Sequence, residues 1–413
     1  MDSSGRDFDQ GAPSALTVHS YSDPAEISRE WWESLSHPSA YLGFDWLRAR
    51  SATIHGKPRF IGVAGPDGEA LLGAPAFLTD SSSHPAYDPA RFLGMADLPE
   101  EDIAAEPGAA AALARLRGRL EDRASGPSVV SGSPGRMGGV SYAGALSPEG
   151  RRDALGLAAA ELERQAEAAS AELVCWVYVI EDADGTADTV LRERGYTRVS
   201  VGADCHLPIT WDSFDGYLRG FGAKRRRSIQ REVRAFTEAG VTVERHGVEA
   251  LDRELAGLEL QWRRKYDRKA DLEATVSDYR ELREHVGDAM TVFVARRQGR
   301  ALGFVTFIED GPVWWARFPG FDYSAGSEDI YLYFNLVFYH PIRVAIGEGI
   351  SSISYSMGSY ETKCSRGCSP RHLLAYVRTA DDASLAADLE VADRVQHRRF
   401  DRIARAHTHR GRG

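Results

Sequence analysis

Residues 312–371 read PVWWARFPGFDYSAGSEDIYLYFNLVFYHPIRVAIGEGISSISYSMGSYETKCSRGCSPR. An aromatic, β-forming run at 313–318 enters a loop rich in Gly, Ser and Asp. From about 329 to 346 the apolar positions follow helical spacing, and Gly347 and Gly349 supply residues on which helices commonly end. Residues 350–355 read as a short strand. A polar turn then carries Glu361, Lys363, Arg366 and Arg371 among the breakers Gly358 and Gly367. Strand, loop, helix, strand and basic turn, in that order, build a cleft and bring cations to it.

Three short motifs in this stretch, Arg317-Phe318, Tyr339-His340-Pro341-Ile342 and Glu361-Thr362-Lys363-Cys364-Ser365-Arg366-Gly367, occur in a telling order. With them the stretch resembles the FemX-like branch of the GNAT-fold acyltransferases, which includes bacterial N-acyltransferases of peptidoglycan type. The resemblance implies acyl transfer to an amine. It also implies that Lys363 stabilises an oxyanion near the 3′ end of the donor. One departure bears on substrate and base: relatives often carry His-Phe-Glu where this chain has Tyr333-Phe334-Asn335.

A chain of 413 residues exceeds one ordinary core, so two domains are expected. Hydrophobic content of 43% and charged content of 27% are those of a soluble globular protein. No apolar run approaches the roughly 18 residues of a membrane helix. The first residues, MDSSGRDFDQGAPSA, are acidic and polar, unlike a secretory signal or a basic transit peptide. Four cysteines argue against a disulfide framework, so a cytoplasmic protein without membrane contact is expected. The net charge of −10 is unevenly spread: residues 394–413 hold seven arginines and one acid, and a second basic cluster occupies 224–234. Such concentrated patches suit a localised polyanion contact.

Along the chain, residues 1–14 are expected to be disordered. Residues 15–210 read as a first α/β unit, with a boundary near 208–212. Residues 211–380 read as a second unit, and 381–413 as a basic helix or tail. Hairpin patterns at 60–78 and 292–308 occupy comparable places in the two halves, as a structural duplication requires. Residues 80–145 are rich in Gly, Pro and Ser and read as long loops around one helix at 109–123. The expected architecture is α/β (α+β): two fused GNAT-like domains, each a mixed sheet flanked by helices. The first is degenerate and the second supplies most of the chemistry.

The helix at 224–239 places Lys224, Arg227, Arg231 and Arg234 at steps of 3, 4 and 3, one continuous stripe, with Arg225 and Arg226 completing the run. The stripe is either a solvated face or a phosphate site. As a phosphate site it would act with Arg371, Arg398, Arg399, Arg402 and Arg405 on aminoacyl-tRNA. Lys363 is the first choice for the oxyanion of the tetrahedral intermediate. Asp322, Glu328, Asp329 and Glu361 surround the cleft, with Glu361 and Asp322 ranked first as base. Arg317, Tyr333, Asn335, Tyr339 and Arg366 are the expected substrate contacts. Ten aromatic residues lie between Trp314 and Tyr339, placed to stack on a nucleobase or to pack as core.

No cofactor and no metal are expected, since Cys364, Cys368 and His372 fall outside common zinc spacings. No pyrophosphate-cradling turn occurs at 320–329, and the 136–141 run RMGGVS is only a partial match. An ester on tRNA is already activated. The expected reaction is therefore aminoacyl transfer from aminoacyl-tRNA to a small amine acceptor, either a natural-product intermediate or a cell-wall precursor. An acyl-CoA-dependent enzyme and a non-catalytic RNA-binding scaffold are the alternatives.

Overall fold

The computed structural model describes residues 16–123, 126–180, 184–323, 329–379 and 383–407. The N-terminal stretch expected to be disordered, and Glu328, lie outside these residues. Two strands with little solvent on either face, Thr197–Pro208 and Ser369–Thr379, run antiparallel at the middle of an eleven-stranded sheet. Each completes the other half's sheet. Thr197–Pro208, which closes the first half of the chain, pairs with Ser352–Ser354 of the second. Ser369–Thr379, which closes the second half, pairs with Leu173–Ile180 of the first. The architecture is two fused GNAT-like domains, mixed sheets flanked by helices, with their last strands exchanged.

The duplication is visible in both halves. Each has a parallel strand pair joined through a helix, as a parallel crossover requires. In the first half Ser128–Ser131 and Leu173–Ile180 are joined by Pro148–Ala168. In the second, Val313–Phe321 and Ser352–Ser354 are joined by the helical segment Leu332–Phe334, Asn335–Tyr339 and His340–Gly347. The hairpin before it, Met290–Arg297 with Arg300–Asp310, turns on Gln298 and Gly299, both at positive φ, as a two-residue turn between twisted strands demands.

Several local differences from expectation have plain causes. The run at 70–78 breaks at Pro75. Ala70–Ala74 stays in a five-stranded sheet, while Ala76–Thr79 joins the large one, because proline has no N–H for the ladder. Within the expected loop region 80–145 lies Ser128–Ser131, a fully buried central strand whose two serines hide its two valines in the composition. The helix expected from about 329 begins at Leu332 and passes through a π turn, Asn335–Tyr339. Pro341 follows that turn and lacks the N–H that would continue the α-helical ladder.

The last segment is no free tail. Helix Ala383–Ala406 buries Leu385, Leu389, Ala392, Val395, Phe400 and Ile403, and packs on Thr197–Pro208 and on helix Ala109–Arg123. Among the described residues no helix is long and apolar enough to cross a membrane. Phe400, 1% exposed and stacked edge-on against Tyr360 at 4.9 Å, anchors this helix. Phe400→Ala should cost about 3–5 kcal/mol of stability. Denaturant unfolding reads this directly, and an unchanged midpoint would mean the helix is not part of the cooperative core.

Candidate functional site

The parallel ladder between Val313–Phe321 and Ser352–Ser354 ends at Trp315 opposite Ser354, and the strands then part. On the other edge of Val313–Phe321 the register jumps, with Val305 opposite Pro319 and Phe307 opposite Ala316. Arg317 and Phe318 therefore share Thr306, a β-bulge, and Phe318 N–H donates to Thr306 Oγ1 at 2.9 Å. A bulge re-aims its side chains. The Arg317 guanidinium lies over Tyr41 (5.5 Å), Trp46 (5.5 Å) and Phe318 (5.2 Å), and donates to Pro134 O at 3.3 Å.

The first half opens in the same way. Its parallel ladder stops at Ser131 opposite Trp176, and residues 132–140 span the gap, with Gly138 N–H on Tyr178 O at 2.8 Å. This loop meets the second half, where Ser354 Oγ lies 3.5 Å from Met137 Sδ. A side chain at Gly135 would place its Cβ 2.0 Å from the Tyr41 ring, so glycine is required for the approach. The site is thus the meeting of two splayed strand pairs.

Three arginines converge there: Arg136, at φ 61°, Arg317, and Arg268, which lies over Trp262 at 4.9 Å. None has a carboxylate partner among the described residues, and Arg317 Nε is buried with no acceptor. Burial, and then the charge of Arg136, holds both Arg317 and Arg268 below the ordinary guanidinium value. His84 feels the same field. Although the residue is exposed at its edge, partial loss of water around the ring, followed by Arg136 and Arg317, pushes it down to about 4, and its Nδ1 accepts the Ala86 N–H at 3.1 Å. Cations gathered without an anion are the signature of an anion site.

The residues singled out in the sequence divide into distinct groups. Lys363 is 7% exposed, and its ammonium donates to Tyr355 O (2.7 Å), Ser356 O (3.0 Å) and Met357 O (2.9 Å). All three of its protons are engaged, so none is left for an oxyanion. Asp322 is fully buried and bonded to Arg300, which leaves it badly placed as a base. Glu361 is exposed in the first turn of the short helix Tyr360–Cys364. Tyr333 packs on Phe321, Phe334 and Phe338, and burial raises its hydroxyl.

Asn335, Tyr339 and Arg366 meet at Glu232. Asn335 Nδ2 donates to Glu232 O at 3.0 Å, the Tyr339 hydroxyl donates to Glu232 Oε2, and Arg366 Nη2 lies 3.4 Å from the same oxygen. Arg225 joins at 3.3 Å and also donates to Ser365 O at 3.0 Å. This buried network fastens the basic helix to the turn at 360–367. Arg371 is similarly held by Asp204 at 3.0 Å, together with Ser354 Oγ (2.7 Å) and Ser356 N–H (3.0 Å).

The two basic clusters part company. Lys224, Arg227, Arg231 and Arg234 on helix Ala223–Glu238 are exposed and make no ion pair among the described residues, and Arg226 beside them is half-buried. The C-terminal arginines are largely spent inside the protein. Arg394 and Arg398 bind Glu106 at 2.9 and 3.0 Å, and Arg402 binds Asp102 at 2.8 Å. Arg399 is buried over Tyr360, and among the described residues Arg405 pairs with Asp401, at 3.6 Å. The expected phosphate surface at 394–405 is therefore a neutralised helix face. Glu232 and Asp204 went unnoticed in the sequence. The signal for Glu232 was its spacing, since it shares the inward face with Ile229 and Phe236.

The 136–141 turn does not open a helix. It leads into strand Ser141–Ala143, and the next helix begins only at Pro148, so the turn does not form a helix N-terminus of its own. No group of three or more His, Cys, Asp or Glu converges as a metal site among the described residues.

Residues 152–406 match the FemAB-like family, described as peptidoglycan biosynthesis and recognition. No curated protein matches the chain. Among solved structures, FemX aligns with a TM-score of 0.55 at 11% identity, over 88% of this chain and 97% of that one. L-PGS from Bacillus licheniformis aligns with a TM-score of 0.52 at 12% identity, over 90% and 96%. At such identities the likeness is one of fold.

Two measurements bear on the residues above. Lys363→Met keeps the aliphatic body but leaves buried carbonyls without a donor, at a cost of about 1–3 kcal/mol or more. Unaltered thermal unfolding of that variant would return the ammonium to a catalytic role. For His84, the folded value lies below the unfolded one of about 6.5, so the unfolded chain protonates first. Its contribution to stability is present above about pH 6.5 and is lost as pH falls toward 4. An NMR titration should find the imidazole neutral down to about pH 4, and Arg136→Ala should move it upward. A value that Arg136→Ala leaves unmoved would mean that Arg136 does not stand beside His84 in solution.

Proposed function

The chain belongs to the FemAB-like family and is an acyltransferase. From that premise we propose that it moves an aminoacyl group from aminoacyl-tRNA to the amine of an acceptor that carries an acidic group. The observation that carries this reading is the basic helix. Four exposed cations, Lys224, Arg227, Arg231 and Arg234, lie in one stripe with no anion among the described residues to answer them, while the neighbouring Arg225 is paired with Glu232. A polyphosphate backbone relieves that repulsion and releases counterions on binding.

The acceptor's acid is assigned to Arg136 and Arg268, which have no carboxylate partner among the described residues where the two halves meet. Of the two acceptor classes expected, a cell-wall precursor is the one favoured by the family's description. The acceptor nitrogen attacks the ester carbonyl, and a C–N bond forms as the C–O bond to the ribose breaks. The leaving ribose oxygen takes the proton that the amine gives up, so no cofactor enters. The negative charge on the carbonyl oxygen falls to Arg317, carried on the bulge beside the gap. Stacking on Tyr41, Trp46 and Phe318 and the bond to Pro134 O hold its guanidinium in a fixed orientation, a preorganised cation in a water-poor place.

Transfer should be assayed with charged total tRNA and a precursor peptide bearing a free amine and carboxylate. Product that disappears with ribonuclease is expected, whereas ribonuclease-resistant transfer from acyl-CoA would replace the donor. The double substitution Arg227→Ala, Arg231→Ala should flatten the plot of log affinity for tRNA against log salt by roughly two units of slope. Arg398→Ala with Arg402→Ala should leave the slope alone. The opposite pattern would return the RNA to the C-terminal helix.

A further inference from the structure

A cavity of 240 Å³ beside the basic helix plays no part in the chemistry above. Phe236 and Thr237 of that helix wall one side and Val241 the floor. Asn335, His340 and Arg343, from the π turn and the helix after it, form the other side. A π turn inside a helix is often found at a binding site. Here it has a local cause in Pro341, and it also places Asn335 on the cavity wall.

The polar groups of this wall are specific. The Arg343 side chain is exposed at the mouth of the cavity, its guanidinium sits 3.5 Å above the Phe214 ring, and it makes no salt bridge among the described residues. Loss of water holds it below the ordinary guanidinium value, with the charge of Asp215 acting the other way. Asn335 spends its amide protons on Glu232 O and Tyr331 O, both at 3.0 Å, which fixes the orientation of its amide. Its Oδ1 accepts no hydrogen bond among the described residues, so it remains available as an acceptor. His340 is held edge-on to Phe293 at 5.4 Å. An apolar floor, one cation without a salt bridge among the described residues and one fixed acceptor suit a ligand with a flat apolar body, an amino group and an anion.

We infer that this cavity takes a single unpaired nucleotide of an RNA whose backbone lies along Lys224, Arg227, Arg231 and Arg234. Its base rests on Phe236 and Val241, and its phosphate meets Arg343. The exocyclic amine of an adenine or cytosine donates to Asn335 Oδ1. Two features favour a nucleotide over other occupants. The stripe is continuous with the cavity, since Arg234 and Thr237 of the lining stand three apart on one helix and are therefore surface neighbours. The volume also lies below the ~300–1,000 Å³ of a drug-sized pocket, which suits one base rather than a dinucleotide or a coenzyme. This assignment rests on the reading that RNA is the donor.

The test uses the full-length protein and fluorescence anisotropy. The probes are a short RNA duplex, the same duplex with a 3′ adenosine overhang, and that overhang made abasic. The wild type should prefer the adenosine overhang to the abasic one by about fivefold or more, the low end of base–aromatic stacking. Thr237 is exposed at the rim, so Thr237→Trp should plug the cavity without disturbing the core. This variant should lose the preference while keeping duplex affinity and its salt slope. Arg343→Gln should move in the same direction. An overhang preference that survives Thr237→Trp would overturn the assignment, as would displacement of the probe by octanoate but not by AMP. Absence of all duplex binding in the wild type would instead overturn the donor reading, which separates the two failures.

Discussion

The exchange of final strands between the halves is the constraint on which everything else depends. Thr197–Pro208 and Ser369–Thr379 are buried on both faces and hydrogen-bonded on both edges. Because each is built into the other half's sheet, the two halves cannot slide or rotate against one another without breaking ladders. That rigidity fixes where the two splayed strand pairs face each other. It brings the first half's 132–140 loop against the second half's bulge, and so places Arg136 beside Arg317. A site assembled from two domains ordinarily inherits their relative motion. Here backbone hydrogen bonding removes it.

The electrostatics sort the chain's fifty basic residues by whether an acid was placed to meet them. Asp204, Glu232, Asp102 and Glu106 are each buried and each hold one or more arginines. A buried carboxylate survives only when so paired, and removing either member leaves an uncompensated charge. These pairs are therefore architecture: Glu232 fastens the basic helix to the 360–367 turn, and the Arg394–Arg402 face fastens the last helix to the first half. The cations on the outer stripe of helix Ala223–Glu238 and around Arg317 are among those left without a carboxylate among the described residues, so they can meet something outside the protein.

Much of the architecture was legible in the sequence. Alternating apolar residues flanking Gln298-Gly299 announced a hairpin, and the stripe at 224–234 was readable from spacing alone. The order of motifs from Arg317 to Gly367 pointed to the fold. What stayed hidden has common physical roots. Ser128–Ser131 reads as loop because serines flank its valines, although a strand buried on both faces tolerates small polar residues whose hydroxyls find carbonyls, as Ser131 Oγ does at Pro75 O (3.0 Å). Lys363 looks catalytic by motif, but whether an ammonium faces a substrate or three carbonyls is decided by the 355–357 backbone, which no local pattern encodes. The C-terminal arginines look like an RNA surface because their acidic partners lie nearly three hundred residues earlier in the chain. Charge counted along a sequence says nothing of charge cancelled in space.

The strand exchange also sets a schedule for synthesis. Leu173–Ile180 has left the ribosome long before Ser369–Thr379 exists to lie beside it, and Thr197–Pro208 likewise emerges before Ser352–Ser354. Through that interval the nascent first half presents an apolar, unpaired sheet edge, the kind of surface on which chains associate wrongly. Protection has to come from elsewhere until the last strand arrives. A chain stopped before residue 369 would thus lack more than its own C-terminus, since the half made first would also be left open.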